Sequence, residues 1–186
     1  HRDLHSFPTR RSSDLAERDP DEAVRKEAAR RVDLLTPLIK SYCSDFSFDL
    51  CRDAMQILGG VGYCKEFPVE QYLRDCKITS IFEGINYIQS LDLVGRKLGM
   101  EGGKVFQDWL VETKTFAEVN KNDPDFQTDF GVLTKAADVV AGFAGKYVEA
   151  FAGDIRIIPL TSMSFLNCFA ETRSEEHTSE LQSPNT

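Results

Sequence analysis

The chain has 186 residues, with 22 basic and 30 acidic side chains and a formal net charge of −8. That length suits one domain or a domain with an appendage, and 41% hydrophobic residues are enough for a packed core. The acidic balance argues against a nucleic-acid-binding protein, which needs a basic surface, and against attraction to anionic lipid. The longest apolar run, residues 155–170, is interrupted by Arg156 and Pro159, so no membrane span is predicted.

The five cysteines show no CxxC pairing, which indicates a reduced protein rather than a disulfide-stabilised one. They are Cys43, Cys51, Cys64, Cys76 and Cys168. The amino end lacks the charged and apolar pattern of a signal peptide. We therefore expect a cytoplasmic protein.

The two ends, residues 1–15 and 173–186, are polar and differ abruptly from the sequence between them. They resemble translated sequencing adapters, HSFPTRRSSDL at the front and RSEEHTSELQSP at the back. Residues 173–176 can be encoded as AGATCGGAAGAG, and the reverse complement of that string, read one base in, encodes the Ser-Ser-Asp-Leu of residues 12–15. The alternative is a pair of disordered tails. We expect both ends to be adapter-derived and to lie outside the fold.

Removing the ends changes the available chemistry, because all three histidines lie in them: His1, His5 and His177. Residues 16–172 therefore cannot form a Ser-His-Asp or Cys-His triad, and they lack a common zinc ligand. No metal site is expected. Acid–base chemistry in this part of the chain would fall to carboxylates, Lys, Tyr or Cys.

The first predicted helix begins at Asp19 and Pro20, a capping residue followed by proline. It ends at Gly59 and Gly60, since glycines are typical just past a helix terminus. Pro37 is a candidate kink. The apolar residues at helical spacing are Leu35, Ile39, Tyr42, Phe46, Leu50, Ala54, Ile57 and Leu58.

Shorter helices follow. Pro68 predicts the start of a helix through Asp75. A further helix is predicted from the apolar residues that recur at helical spacing, an apolar stripe of Ile85, Ile88, Leu91, Val94 and Leu98. Gly99, Gly102 and Gly103 predict a hinge or domain boundary.

Three further helices are predicted beyond this boundary. The first presents Phe106, Trp109, Leu110, Thr113 and Phe116 on one face. Asp123 and Pro124 cap the second, and the third begins at about Pro159. The stripe of the second is Phe126, Phe130, Leu133, Ala137, Val140, Ala144, Tyr147 and Phe151. No alternating strand pattern occurs, so the prediction is an all-α fold, a helical bundle over residues 16–99 followed by a partial second helical domain over residues 100–172.

Three features are candidates for chemistry. Residues 56–63, QILGGVGY, are typical of a helix C-cap and turn, and they do not form a GxGxxG or Walker loop. Arg74 and Asp75 are a candidate ion pair, structural or solvated. Glu83 is flanked by apolar residues and followed by Gly84, a setting in which burial would raise the pKa of a carboxyl group and suit it as a general base.

Taken in order, five elements resemble the C-terminal helical domain of the acyl-CoA dehydrogenase family. They are QILGGVGY, then Pro-Val-Glu at 68–70, Leu-Arg-Asp at 73–75, Phe-Glu-Gly at 82–84 and Ile-Gln at 88–89. The segment LDLVGRKL at 91–98, with the helices after it, is similar to the long bacterial form with an additional C-terminal domain. That subgroup includes enzymes acting on fatty acyl-CoA and on 3-methylmercaptopropionyl-CoA.

The resemblance implies an FAD-dependent enzyme in which Glu83 removes the α-proton of an acyl-CoA while a β-hydride passes to the flavin. Gly84 matches a position that contacts substrate. The resemblance implies FAD contacts for Gln56, Ile57, Leu58, Gly59, Gly60, Ile85 and Tyr87. It also implies electron-transfer flavoprotein as electron acceptor, a homo-oligomer as the parent enzyme, and an isolated fragment that is inactive.

Two residues depart from the family pattern. Ile85 stands where the family usually has Thr, and Tyr87 where it has a small or polar residue. Ile cannot donate a hydrogen bond to the flavin, and Tyr is bulkier. The alternatives are an acyl-CoA oxidase on the same scaffold, or a helical interaction module without chemistry.

Overall fold

A computed structural model describes residues 8–122 and 127–182 of the chain, with side chains described for residues 12–122 and 129–174. These residues contain no strand, which confirms the all-α prediction. The helices are α1 (Pro8–Arg18), α2 (Glu22–Leu58), α3 (Val69–Thr79), α4 (Asn86–Asp92), α5 (Lys104–Asn120), α6 (Gln127–Ala152) and α7 (Ile157–Gln182). Shorter turns join them: a 3₁₀ turn at Gly59–Tyr63, a π turn at Leu93–Lys97 and a 3₁₀ turn at Met100–Gly103.

The boundaries of α2 differ from the prediction at one end only. Its capping residue is Asp21 rather than Asp19, because the Asp21 carboxylate accepts from the Ala23 N–H at 2.8 Å. The Asp19 carboxylate instead accepts from the Asp21 N–H at 2.9 Å. The predicted end is confirmed, since Gly59 takes a φ of +64° and its N–H donates to the Gln56 carbonyl. Pro37 lies buried within α2, which remains a single helix through it.

The helix that follows Glu83 buries a different face from the one predicted. Ile85 and Ile88 are 42% and 54% exposed. The side chains buried from this stretch belong to Asn86, Ser90, Leu93, Val94 and Lys97. The predicted stripe was therefore wrong at its first two positions, because polar side chains occupy the inward face of α4.

The predictions for α5 and α6 are largely confirmed. Phe106, Trp109, Leu110 and Thr113 are buried on α5. The α6 stripe is buried from Phe130 to Tyr147. Phe151, predicted to be on that stripe, is exposed, and Ala150 is buried in the last turn instead. Asp123, Pro124 and Phe126 lie outside the described residues.

One continuous core joins both halves of the chain. Leu34 and Leu38 of α2 share it with Trp109 of α5 and Phe165 and Phe169 of α7. The Trp109 and Phe169 rings are 4.4 Å apart between centroids, which is a close aromatic contact. Because this core spans both sides of residue 99, the division into two domains there stays a prediction.

The helix α3 lies outside this core. It packs along α2, and none of its residues is buried. Apolar side chains between residues 46 and 88 are exposed in unusual number: Phe46, Leu50, Ile57, Leu58, Val61, Tyr63, Phe67, Tyr72, Ile78, Ile81, Phe82, Ile85, Tyr87 and Ile88. Such a concentration marks an interaction or ligand surface.

A buried polar cluster holds α4 against α2. We use this name for Lys40, Ser41, Ser44 and Asn86. The Asn86 Oδ1 accepts from Lys40 Nζ at 3.0 Å and from Ser44 Oγ at 3.1 Å. Its Nδ2 donates to the Ser41 carbonyl at 3.3 Å. Asn86 therefore bonds through both ends of its amide, and it fixes the register of α4 on α2.

We expect Asn86→Ala to lower the free energy of unfolding by about 2 kcal/mol, since it removes one partner of a buried hydrogen-bonded group. Chemical denaturation of the chain would measure the change. Asn122→Ala, at an exposed turn, is the matched control and should change the free energy by less than about 0.5 kcal/mol. Equal stability of the two variants would show that the buried polar cluster does not hold α4.

The described parts of the two adapter-like ends, residues 8–15 and 173–182, are helical. The helix α1 covers residues 8–18 and lies against α2, and α7 continues to residue 182. No described side chain among residues 12–18 and 173–174 is buried. Ser12 and Arg173 line a cavity of about 50 Å³ beside Trp109. The adapter origin of these ends stays a prediction.

A chain trimmed to residues 16–172 should keep its fold, with a melting temperature within about 5 °C of the full chain, since little apolar surface is lost. Thermal melts followed by circular dichroism would compare the two. A much larger fall would show that the ends belong to the folded structure.

Candidate functional site

Glu83 lies on the turn of residues 81–85 between α3 and α4. Its φ is +52°, in the left-handed region that is uncommon for a residue with a Cβ. Such conformations often occur where a structure positions a functional side chain, although Glu101 has a similar φ in the Met100–Gly103 turn. The turn is closed at its base, because the Asn86 N–H donates to the Ser80 carbonyl at 3.3 Å. The same residue that enters the buried polar cluster thus ends the Glu83 turn.

The expected burial of Glu83 is wrong for this chain. Glu83 is exposed, as are Phe82, Gly84 and Ile85 around it. The turn projects from the ends of α3 and α4, and no described helix covers it. The described residues therefore do not enclose this carboxylate.

The backbone conformation at Gly84 favours glycine. Its φ is +85°, in the left-handed region. A Cβ there would lie 2.7 Å from Gln89 Nε2, the group that donates to the Gly84 carbonyl at 3.4 Å. The Gln89 amide thus lies over the Gly84 backbone on the side where a Cβ would be.

Ile85 occupies the N-cap position of α4 and provides no side-chain cap. Threonine or serine is preferred there, because a hydroxyl can accept from the free N–H groups of the first turn. Tyr87, two residues further, donates its hydroxyl to the Pro159 carbonyl at 3.2 Å. Both departures from the family pattern thus have a structural consequence. Ile85 leaves α4 without a side-chain cap, and Tyr87 makes a hydrogen bond to α7.

Residues 56–60 end α2 and are exposed, with Ile57 86% exposed. The C-cap and turn interpretation of this motif is confirmed by Gly59. Gly62 is buried in the turn that follows, and a Cβ there would lie 2.8 Å from Leu58 Cβ and 2.9 Å from the Met55 carbonyl oxygen. By contrast, a Cβ at Gly59 or Gly60 would meet nothing within 4 Å, so the outer side of this turn is open to a ligand.

The two candidate stretches lie at opposite ends of the α2–α3 pair. The Glu83 turn is joined to α2 near Ser44 through Asn86. Residues 56–60 lie twelve positions further along α2, or about 18 Å at the rise of an α-helix. The structure therefore does not bring Glu83 and residues 56–60 into one pocket.

An open groove of about 850 Å³ runs between α2 and α3. Phe48, Met55, Leu73 and Ile78 are among its lining residues, and neither Glu83 nor residues 56–60 line it. The Arg74 guanidinium at this groove pairs with Glu70 at 2.9 Å. The predicted pairing with Asp75 was wrong, because residues four apart share a helix face and adjacent residues do not.

The burial of Asn86 and Ser90 was not predicted from the sequence. Both are buried, and Ser90 Oγ lies 2.9 Å from Ser162 Oγ of α7. Their spacing with Leu93 and Lys97 is helical, so a search for a continuous face including polar residues would have found them. They connect the helix after Glu83 to α2 on one side and to α7 on the other.

Within the described ranges, no group of three or more His, Cys, Asp or Glu side chains is arranged to hold a metal ion. Over the same residues, no helix is long and apolar enough to cross a membrane.

Known proteins provide an independent comparison. Residues 21–99 match the family model described as acyl-CoA dehydrogenase, C-terminal domain. A butyryl-CoA dehydrogenase of Syntrophomonas wolfei is 37% identical over 123 residues, which are 66% of this chain and 20% of that protein. A 3-methylmercaptopropionyl-CoA dehydrogenase of Ruegeria pomeroyi is 35% identical over 162 residues, 80% of this chain and 26% of the relative.

A broad-specificity linear acyl-CoA dehydrogenase of Mycobacterium tuberculosis is 31% identical over 133 residues, 70% of this chain and 22% of that enzyme. The chain thus spans between a fifth and about a quarter of the length of these relatives. The matched region contains the Glu83 turn and the motif at residues 56–63, and the family inferred from these motifs is confirmed. Residues 21–99 of this chain belong to the acyl-CoA dehydrogenase family, as its C-terminal domain.

Proposed function

We propose that this chain is part of an FAD-dependent acyl-CoA dehydrogenase, in which Glu83 is the general base. The observation that carries the proposal is the Glu83-Gly84 turn, held at a positive φ within the region matched by the family. Glu83 takes the proton from the α-carbon of an acyl-CoA thioester. FAD, when bound, accepts the hydride from the β-carbon.

The residues present fit a flavin at the end of α2. Gly59 and Gly60 leave their backbone open, because no atom lies within 4 Å of where a Cβ would be. Gln56, Ile57 and Leu58 are exposed beside them, and we propose that these five residues contact the adenosine-diphosphate half of FAD. Backbone without neighbouring side chains allows this kind of close approach.

At the other end of the α2–α3 pair, the proposed flavin contacts are different. Ile85 has no hydroxyl to offer, and the Tyr87 hydroxyl is already donated to the Pro159 carbonyl. Contacts from these two residues to FAD would be made through their apolar atoms. Gly84, with its exposed backbone, is the proposed substrate contact.

The chain supplies only part of such a site. Glu83 is exposed, whereas removing a proton from a weakly acidic carbon requires a base shielded from water. The relatives are four to five times as long as the matched region. We propose that the rest of the enzyme, and a neighbouring subunit of a homo-oligomer, cover the Glu83 turn. The isolated chain would then neither hold FAD nor turn over substrate.

The substrate is proposed as a class, an acyl-CoA thioester. The relatives' names include butyryl-CoA, 3-methylmercaptopropionyl-CoA and broad-specificity linear acyl-CoA dehydrogenases, so their substrates differ in chain length and substituent. Electron-transfer flavoprotein is the proposed acceptor of the electrons, and the cytoplasm the proposed location. A role in fatty acid β-oxidation is consistent with this chemistry.

In the full-length enzyme, Glu83→Gln should abolish dehydrogenation while FAD stays bound. Gln preserves shape and hydrogen bonding but cannot accept the α-proton, and loss of a general base costs about two to four orders of magnitude in rate. Anaerobic bleaching of the flavin by saturating acyl-CoA measures the rate, and absorbance measures the FAD content. Glu149→Gln, at an exposed position of α6, is the control and should bleach at the wild-type rate.

Bleaching of the Glu83→Gln enzyme at the wild-type rate would show that another group is the base. Absence of flavin from the purified full-length enzyme would favour the helical interaction module. Rapid reoxidation of the bleached flavin by oxygen would favour the acyl-CoA oxidase.

Ile85→Thr and Ile85→Val form a matched pair, because the two new side chains differ by a hydroxyl in place of a methyl group. The Thr hydroxyl should cap α4 and raise the free energy of unfolding by about 1 kcal/mol relative to Val. In the full-length enzyme, Thr should also bind FAD several-fold more tightly than Val. Denaturation and FAD titration measure the two effects. Identical values for the two variants would show that the hydroxyl reaches neither the helix nor the flavin.

A further inference from the structure

Two of the five cysteines lie in direct contact. Cys51 on α2 and Cys76 on α3 have their Sγ atoms 3.6 Å apart, and both side chains are partly buried. A disulfide requires an S–S distance of about 2.05 Å, so the two sulfurs must approach by about 1.5 Å. Two side chains on adjacent helices can close such a gap by small changes of rotamer and helix position.

The packing of α3 allows this movement. None of its residues is buried, so α3 can shift on α2 without disturbing the continuous core. The two helices lie side by side near the cysteines, because Phe48 and Met55 of α2 and Leu73 and Ile78 of α3 line the same groove. The contact is also separate from the proposed chemistry, since Glu83 lies seven residues beyond Cys76.

The other three cysteines are placed differently. Cys43 and Cys64 are exposed, and Cys168 lies on α7. Cys64 Sγ faces the Gly60 carbonyl at 3.5 Å rather than another sulfur. These residues provide internal controls, because they share the thiol chemistry without the paired geometry.

We propose that Cys51 and Cys76 are a redox-sensitive pair that forms a reversible disulfide joining α2 to α3. The oxidant is a small-molecule disulfide of the glutathione type. The inference rests on the sulfur contact alone and does not depend on the proposed dehydrogenase function.

The reaction proceeds in two exchange steps. Cys76 loses its proton, and its thiolate attacks the oxidant disulfide, which releases one small thiolate and leaves a mixed disulfide on Cys76. Cys51 then loses its proton and attacks the Cys76 sulfur, and the second small thiolate leaves. The protein loses two protons and two electrons, and one small disulfide becomes two small thiols. The two roles are interchangeable, because either thiolate can make the first attack and the other then attacks the mixed disulfide.

The disulfide would join α2 to α3 between the two ends of the proposed site. It closes a loop over residues 51–76, which contains residues 56–60, and it fixes α3, which leads into the Glu83 turn. A reducing cytoplasm would keep both cysteines as thiols, and oxidation would join them in the disulfide. Disulfides in such compartments are characteristically transient or regulatory.

The test treats the whole chain with oxidised glutathione, traps remaining thiols with N-ethylmaleimide, and maps the peptides by mass spectrometry. We expect a cross-linked peptide pair containing Cys51 and Cys76, two hydrogens lighter than the sum of the two reduced peptides, and reversal of the link by dithiothreitol. The oxidised chain should melt several degrees higher than the reduced chain, since the cross-link restricts the unfolded state. Cys43→Ser and Cys64→Ser should form the same cross-link, whereas Cys51→Ser should stop at the glutathione adduct on Cys76.

Two results would overturn the proposal. One is a stable glutathione adduct on Cys51 or Cys76 of the unaltered chain, with the other thiol still reactive towards N-ethylmaleimide. The other is cross-linking of Cys43 or Cys64 to the same extent as the Cys51–Cys76 pair. Because both are read from the unaltered chain, they do not depend on any variant folding.

Discussion

The buried amide of Asn86 connects the candidate site to the rest of the molecule. Its carbonyl oxygen accepts from Lys40 and Ser44, its amino group donates to Ser41, and its backbone N–H closes the Glu83 turn on Ser80. A buried amide left without these partners would cost about 1–3 kcal/mol. The position of the Glu83 turn on α2 is therefore set by hydrogen bonding as well as by the apolar packing of Leu91. Apolar residues around Glu83 can then remain at the surface.

The α5–α7 helices and the α2–α3 pair differ in how much apolar surface they bury. Helices α5, α6 and α7 pack aromatic side chains such as Trp109 and Phe169 into one core with the first half of α2. The α2–α3 pair has exposed apolar side chains and no buried residue on α3. Since the matched relatives are several times longer, the proposed explanation is that this exposed surface meets FAD, substrate and the rest of the enzyme.

The sequence predicted those features that depend on local rules. Gly59 ends α2 because a left-handed residue is needed there, and the stripes of α5 and α6 follow the periodicity of large apolar residues. The buried face of α4 could not be predicted this way. Asn86 and Ser90 are polar, and they are buried only because partners on α2 and α7 satisfy them. Asp21 rather than Asp19 caps α2 because both residues suit the position, and only the geometry distinguishes them.

For the candidate site, the motifs identified the family. The structure added the backbone conformation, exposure and long-range contacts of the site residues. The positive φ of Glu83 and the exposure of its turn follow from how α3 ends and α4 begins. The contact of Tyr87 with Pro159 depends on a helix more than seventy residues away. Long-range contacts of this kind leave no local pattern, which explains why Tyr87 could be predicted only as a departure from the family.

The measurement that tests this account most directly is a crystal structure of the full-length enzyme with FAD and a non-reactive acyl-CoA analogue. We predict a Glu83 carboxylate oxygen about 3–3.5 Å from the α-carbon, the separation of a reactive complex, with Asn86 still bonded to Lys40, Ser41 and Ser44. A different carboxylate at the α-carbon, with Glu83 still exposed to solvent, would contradict the account.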